Sequence, residues 1–290
     1  MRYIRLKETP PGVTKTRTPT PPYRQKCDET LGHGPFVQRG TIDGFLDTGN
    51  HRPHATRNLV MLGGSFVESM FAAEMDRFPS QIERMLPDDW RILNAGYSGM
   101  TTLHMLSLLV SKLVPFLIPN GKLVIFIGQS DTNVLTSKHA YWDPRPTITP
   151  IKPASKTQAL PWSRVESLER VIDSVLSTAD SFGIDYAVVA SPYREGNFDT
   201  DPVLQHAFGS DRNRYKRIDG IRSLIQRTTR SVAEKHRSPF FDGQIVASDA
   251  SLFYDIMHLN ESGQQVFSDA LGAWIRDIFL PDSFKHEDHR

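Results

Sequence analysis

Two short stretches of this 290-residue chain carry side chains that together could transfer an acyl group: Gly63-Gly64-Ser65 and Asp255-Ile256-Met257-His258. Acyl transfer by serine needs three things. A hydroxyl must be deprotonated by an adjacent imidazole, a carboxylate must fix that imidazole's tautomer, and N–H donors must face the developing oxyanion. Two glycines before Ser65 suit a sharp strand-to-helix turn, which would place the Ser65 N–H at a helix N-terminus, where negative charge is favoured. The Asp255–His258 spacing puts both side chains on one side of a turn, so that the carboxylate could hold Nδ1 while Nε2 faces a serine. Each piece also has a structural reading. Gly-Gly-Ser turns mostly serve only to bend the chain, and Asp255 and His258 could simply flank a helix capped by Asn260 or Ser262.

The elements that would position these residues follow from hydrophobic periodicity. From Leu59 onward, short apolar runs of strand length alternate with longer stretches of helical spacing, the pattern of a parallel sheet covered on both faces. Five strands are expected: Leu59–Leu62, Trp90–Leu93, Lys122–Ile127, Tyr186–Ala190 and a weak one near Pro239–Phe241. Helices are expected over 65–85, interrupted by Pro79, and over 101–114, stopped by Pro115. Three more are expected near 163–182, 213–235 and 261–279. A single α/β domain, a three-layer α/β/α sandwich, is the economical reading. Right-handed crossovers would gather the strands' C-terminal ends on one edge. That edge would carry the turns at Gly63–Ser65, at Asn94–Gly99 and at Gly128–Asp131. Two stretches without clear periodicity, 133–162 and 194–212, leave the same edge and could wall a site or be solvated decoration.

Taken together and in order, Gly63-Gly64-Ser65-Phe66, Asn94-Ala95-Gly96-Tyr97-Ser98-Gly99, Gly128-Gln129-Ser130-Asp131 and Asp255-Ile256-Met257-His258 resemble blocks I, II, III and V of the SGNH (GDSL-type) hydrolases. The resemblance runs from about Gly40 to Phe279, with Ile42-Asp43-Gly44-Phe45 similar to a lead-in strand of bacterial members. It implies a flavodoxin-like five-stranded parallel sheet ordered 2-1-3-4-5, no metal or cofactor, and hydrolysis of a carboxylic ester through an acyl-serine intermediate. It further implies that Ser65 is nucleophile and first oxyanion donor, that Gly96 is the second donor, and that Asp255 and His258 complete a triad. Block I departs from the usual Gly-Asp-Ser at Gly64. Block III departs at Ser130, which stands where the family's oxyanion asparagine is expected. A serine hydroxyl is a shorter donor than an amide, so Ser130→Asn is expected to raise turnover, and Asn133 is a possible substitute if the chain there makes a helical turn. An acyltransferase on the same triad and a non-catalytic binding domain weakened by Ser130 are the competing readings.

Composition narrows the partners. Thirty-four Lys and Arg against 33 Asp and Glu leave a net charge of +1, so no global field exists to hold nucleic acid or an anionic membrane. The expected partner is a small-molecule or carbohydrate ester. Cys27, the single cysteine, permits no internal disulfide and no cysteine zinc site. His51 with His54 and His286 with His289 lack a recognisable third ligand, so no metal site is expected. Arg212, Arg214, Lys216, Arg217 and Arg222 read as a solvated helix face. Residues 1–40 are expected to form an extended proline-rich arm and 41–290 the catalytic domain. With no signal-peptide-like apolar run at Met1–Pro11 and no span of transmembrane length, the expected location is the cytoplasm.

Overall fold

The computed structural model describes residue 4 and residues 6–145, 147–150 and 161–281. His286 and His289 lie outside them. The first elements are β1 (Thr14–Arg17), the single-turn helix α1 (Pro21–Arg24) and β2 (Phe36–Arg39), with β1 and β2 paired antiparallel. Prolines around them do not prevent this, contrary to the expectation from composition. Thr14–Arg17 contains none, and Pro21 and Pro22 open α1 at positions whose N–H groups would have no helical partner anyway.

The main sheet is built from β3 (Arg57–Gly63), β4 (Trp90–Gly96), β5 (Lys122–Ile127), β6 (Asp185–Ala190) and β7 (Phe240–Asp242). All pairings are parallel and the spatial order is β4-β3-β5-β6-β7, the expected 2-1-3-4-5. Between the strands lie α2 (Ser65–Glu68), α3 (Phe78–Met85), α4 (Thr102–Leu108), α5 (Val114–Leu117), α6 (Asp131–Thr136), α7 (Arg164–Ser181), α8 (Pro202–Phe208) and α9 (Arg212–Lys235). After β7 come α10 (Gly243–Val246) and α11 (Glu261–Phe279). Strand side chains alternate between two cores, as a sheet buried on both faces requires. Val60, Leu62 and Ile125 pack with Met105, Val171, Ile172 and Ile225 of α4, α7 and α9. Leu59, Met61 and Val124 pack on the other side with Phe78, Ile82, Phe267 and Leu271 of α3 and α11.

Four local expectations are corrected. Pro79 does not interrupt a helix but opens α3. The helix begun at Ser65 ends after one turn, where Ser69 adopts a left-handed conformation at φ 46° and its hydroxyl donates to the Phe66 carbonyl at 2.9 Å. Pro115 does not stop the helix before it. The preceding turn widens into a π-helix over Leu109–Leu113, which accommodates the missing N–H, and α5 follows. Ile42–Phe45 is a turn rather than a strand, with Gly44 at φ 74°, and only Gly40 and Leu46 make bridge contacts. Arg222 is not on a solvated face. It is buried, its guanidinium lies 4.9 Å from the Tyr193 ring centre and donates to the Ile256 carbonyl at 3.3 Å, whereas Arg212, Arg214, Lys216 and Arg217 are exposed.

The described parts of the irregular stretches are tied to the domain; residues 146 and 151–160 of the first lie outside the described residues. Asp131, fully buried, accepts hydrogen bonds from Thr102 N at 3.1 Å, Thr102 Oγ1 at 2.8 Å and Tyr141 Oη at 2.6 Å. Burial pushes its carboxyl up to about 6 against those three donors. The insertion carrying Tyr141 therefore clamps the Gly128–Asp131 turn to the N-terminus of α4. In the second stretch Asp201 caps α8 and pairs with Arg194 at 2.7 Å, and Arg194 Nη1 donates to the Phe253 carbonyl at 2.8 Å.

Candidate active site

The candidate site is assembled by turns at the ends of β3, β4 and β5 and by the loop before α11. Ser65 is the first residue of α2, immediately after Gly64 as N-cap. The bend needs a glycine at 63: a Cβ there would lie 2.5 Å from Val67 Cγ2 and 2.9 Å from Phe126 Cβ. The Asp255–His258 loop is closed by a Phe253–Leu259 bridge and by the Tyr254 N–H donating to the His258 carbonyl at 3.0 Å. Asn260 then caps α11, its Oδ1 accepting from Gly263 N at 2.9 Å.

This loop delivers the imidazole to the serine. His258 Nε2 lies 2.8 Å from Ser65 Oγ, and Nδ1 lies 2.7 Å from Asp255 Oδ2. Asp255 Oδ1 accepts from the Met257 and His258 backbone N–H groups at 2.8 and 2.7 Å. The His258 ring stacks on Tyr254 with centres 5.7 Å apart and planes 15° apart. Both members of the His–Asp pair are nearly buried. For Asp255, burial works to raise the carboxyl, but the His258 charge and the hydrogen bonds outweigh it and hold the group below the usual carboxylate range. For His258, burial works to lower the imidazole, but the Asp255 and Glu68 carboxylates outweigh it and raise it.

Beside Ser65 lies a cavity of about 10 Å³, walled by Phe66, Met100, Met105, Phe126 and Met257, with Gln129, Ser130 and Ser191 as its polar lining. Ser130 lies beside Ser65, with its Oγ 3.1 Å from where a Cβ on Gly64 would stand. Asn133 is not. It falls on α6, which is the helical turn required, but its side chain is exposed and does not line the cavity.

Gly96 also falls outside the cavity. β4 continues through it, its N–H donates to Asn94 Oδ1 at 2.9 Å, and a Cβ there would lie 2.4 Å from Glu68 N and 2.7 Å from Val67 C. The glycine is needed so that α2 can cross β4, and the turn that reaches the cavity begins only at Tyr97, with Gly99 at φ 72° and Met100 in the wall.

Three residues near Ser65, Asp255 and His258 were given no role by the sequence. Gln129 lines the cavity with its buried Oε1 unpartnered among the described residues. Buried Glu68 accepts from Gln38 Nε2 at 3.1 Å and from the Ser98 hydroxyl. Tyr23, from α1, donates to Asp255 Oδ2 at 2.7 Å. The period of α2 places Glu68 one turn after Ser65. For Tyr23 nothing local pointed to the contact.

No family model matches the chain, and no curated protein matches it. Solved structures do. An acetyl xylan esterase, AlAXEase, is similar with 13% identity and a TM-score of 0.51, over 75% of this chain and 99% of the other. A carbohydrate acetylesterase family member from Sinorhizobium meliloti is similar with 15% identity and a TM-score of 0.51, over 77% and 98%. A lipase/acylhydrolase from Enterococcus faecalis is similar with 16% identity and a TM-score of 0.50, over 77% and 96%. With its five-stranded parallel sheet between helical layers, the chain has the α/β/α fold of the SGNH hydrolases.

Proposed function

We propose that the chain is a serine esterase that removes a small acyl group, acetyl first among them, from an alcohol by way of an acyl-serine intermediate. One observation carries this reading: a single imidazole bridges a serine hydroxyl at 2.8 Å and a buried carboxylate at 2.7 Å. In that arrangement Nδ1 keeps its proton toward Asp255, leaving Nε2 to accept the Ser65 proton as Oγ attacks the ester carbonyl. The resulting imidazolium, stabilised by Asp255, then protonates the departing alcohol, and water repeats the cycle on the acyl-enzyme.

The Ser65 N–H, at the first position of α2, is our first oxyanion donor. The second backbone donor belongs to the turn after β4 rather than to Gly96, and Gly99 is our candidate. Ser130 Oγ and the Gln129 amide are the side chains available to supplement them.

The cavity supports the small acyl group. At about 10 Å³ its enclosed part is on the order of one water-sized sphere, which suits a methyl better than a long chain. Two of the similar structures are by name an acetyl xylan esterase and a carbohydrate acetylesterase family member, so an acetylated sugar is the alcohol we favour. The test compares p-nitrophenyl acetate with the butyrate and octanoate. We expect kcat/KM to fall at least tenfold from acetate to octanoate, and Ser65 to be modified by a fluorophosphonate probe. A protein that neither turns over acetate nor reacts with the probe is not an esterase.

For Ser130→Asn we expect a loss rather than a gain. With Ser130 against Gly64 beside so small a cavity, a longer amide competes with the acyl group for space. We expect Ser130→Ala to lower kcat by ~10-fold or more as one oxyanion donor is lost, and Ser130→Asn to fall at least as far. A rise in kcat for Ser130→Asn, measured on p-nitrophenyl acetate, would show that the amide does fit.

A further inference from the structure

We propose that Tyr23, supplied by the N-terminal segment, is a positioning residue of the triad, whose phenol fills the last acceptor site of Asp255 and so sets the basicity of His258. The proposal rests on the esterase reading only for its consequence in turnover.

An ionised carboxylate offers about four lone-pair directions. Asp255 uses all of them: two backbone N–H groups on Oδ1, and His258 Nδ1 with Tyr23 Oη on Oδ2, the four contacts lying between 2.7 and 2.8 Å. Two of those donors are on Asp255's own loop and one is the imidazole itself. Only Tyr23 comes from elsewhere in the fold, 232 residues away. The side chain is held by packing its ring against Phe71 at 5.3 Å between centres. The segment that carries it is fastened beside the same loop, with Asp28 N donating to the Tyr254 carbonyl at 2.6 Å and Thr30 Oγ1 accepting from Asn260 Nδ2 at 3.2 Å.

Sharing Oδ2 has an electrostatic consequence. Charge that the carboxylate gives to the phenol is not available to the imidazolium, so the phenol counteracts the upward pull of Asp255 on His258. The other groups facing this pair are Glu68 from α2, Tyr254 on the loop itself, Cys27 beside Tyr23, and Arg222 from α9. Burial raises both tyrosines and pushes the Cys27 thiol up to about 12, which leaves them neutral near pH 7. Replacing Tyr23 by Phe keeps the ring on Phe71 and, among these other groups, alters only Tyr254, whose side chain loses its hydrogen bond to the Tyr23 hydroxyl.

The decisive measurement is the titration of the His258 imidazole by NMR in the wild type, Tyr23→Phe and Thr30→Ala. Thr30→Ala removes another fastening of the segment without touching Asp255. We expect the His258 midpoint to rise by roughly half to one pH unit in Tyr23→Phe and to stay in place in Thr30→Ala. The rate of Ser65 modification by a fluorophosphonate at pH 7 should fall in Tyr23→Phe, by at most the ~3- to 10-fold that such a rise allows, with the acid limb displaced upward. An unchanged midpoint in Tyr23→Phe, or an equal rise in Thr30→Ala, would show that the phenol merely docks the segment. A wild-type serine inert to the probe would instead remove the esterase reading, and the titration would still decide the role of Tyr23.

Discussion

Ser65→Ala is expected to lower kcat for p-nitrophenyl acetate by ~10⁴- to 10⁶-fold, the loss seen when the nucleophile of a serine triad is removed. Among the described residues no other hydroxyl is hydrogen-bonded to His258 Nε2. His258 Nε2 has Ser65 Oγ as its hydrogen-bond partner, and without it the imidazole can only activate water that has no fixed position. Fold stability should be nearly unchanged, because Ser65 is partly exposed at the first position of α2 and the bend depends on Gly63 instead. A thermal melt within a degree or two of the wild type, with probe labelling abolished, is the expected pair of results. Activity within tenfold of the wild type would place the nucleophile elsewhere.

The second large effect is expected from Asp255→Asn, at ~10⁴-fold in kcat. The surroundings dictate how the amide must sit. Two backbone N–H groups point at the Oδ1 position, so the amide oxygen is held there and the NH₂ group is turned toward His258 Nδ1. An N–H donor facing Nδ1 stabilises the tautomer with its proton on Nε2, the nitrogen that has to accept the Ser65 proton. The variant would therefore fold with its atoms in place and its base inverted. Kinetics on p-nitrophenyl acetate, with ¹⁵N shifts of the two ring nitrogens, check both halves. A loss under tenfold would mean that His258 works without a carboxylate.

Much of this site could be read from the chain alone. The strands were visible because sheets buried on both faces need continuous apolar runs, and Lys122–Ile127 and Glu261–Phe279 have the expected boundaries. Ser65, Asp255 and His258 were visible because glycines before a serine and a three-residue Asp–His spacing are local patterns. What was not visible depends on distance or on where an element ends. Whether Gly96 belongs to strand or turn depends on how far the β3–β4 pairing continues, and it continues through Gly63–Gly96. The passage of the helix through Pro115 depends on a widened turn that propensity does not encode. Tyr23 meets Asp255 only because β1 and β2 fold the early segment back over the loop before α11.

The order of these residues along the chain also sets when the site comes into being. Ser65 and His258 are separated by 193 positions, which at a synthesis rate of about 5–20 residues per second is roughly 10 to 40 seconds on the ribosome. Through that interval the emerging polypeptide has a serine but no imidazole to activate it, and an unassisted hydroxyl is a poor nucleophile. On the esterase reading, reactivity toward esters therefore arises only after the Asp255–His258 loop has emerged and α11 has docked on α3. The growing chain is chemically silent by construction.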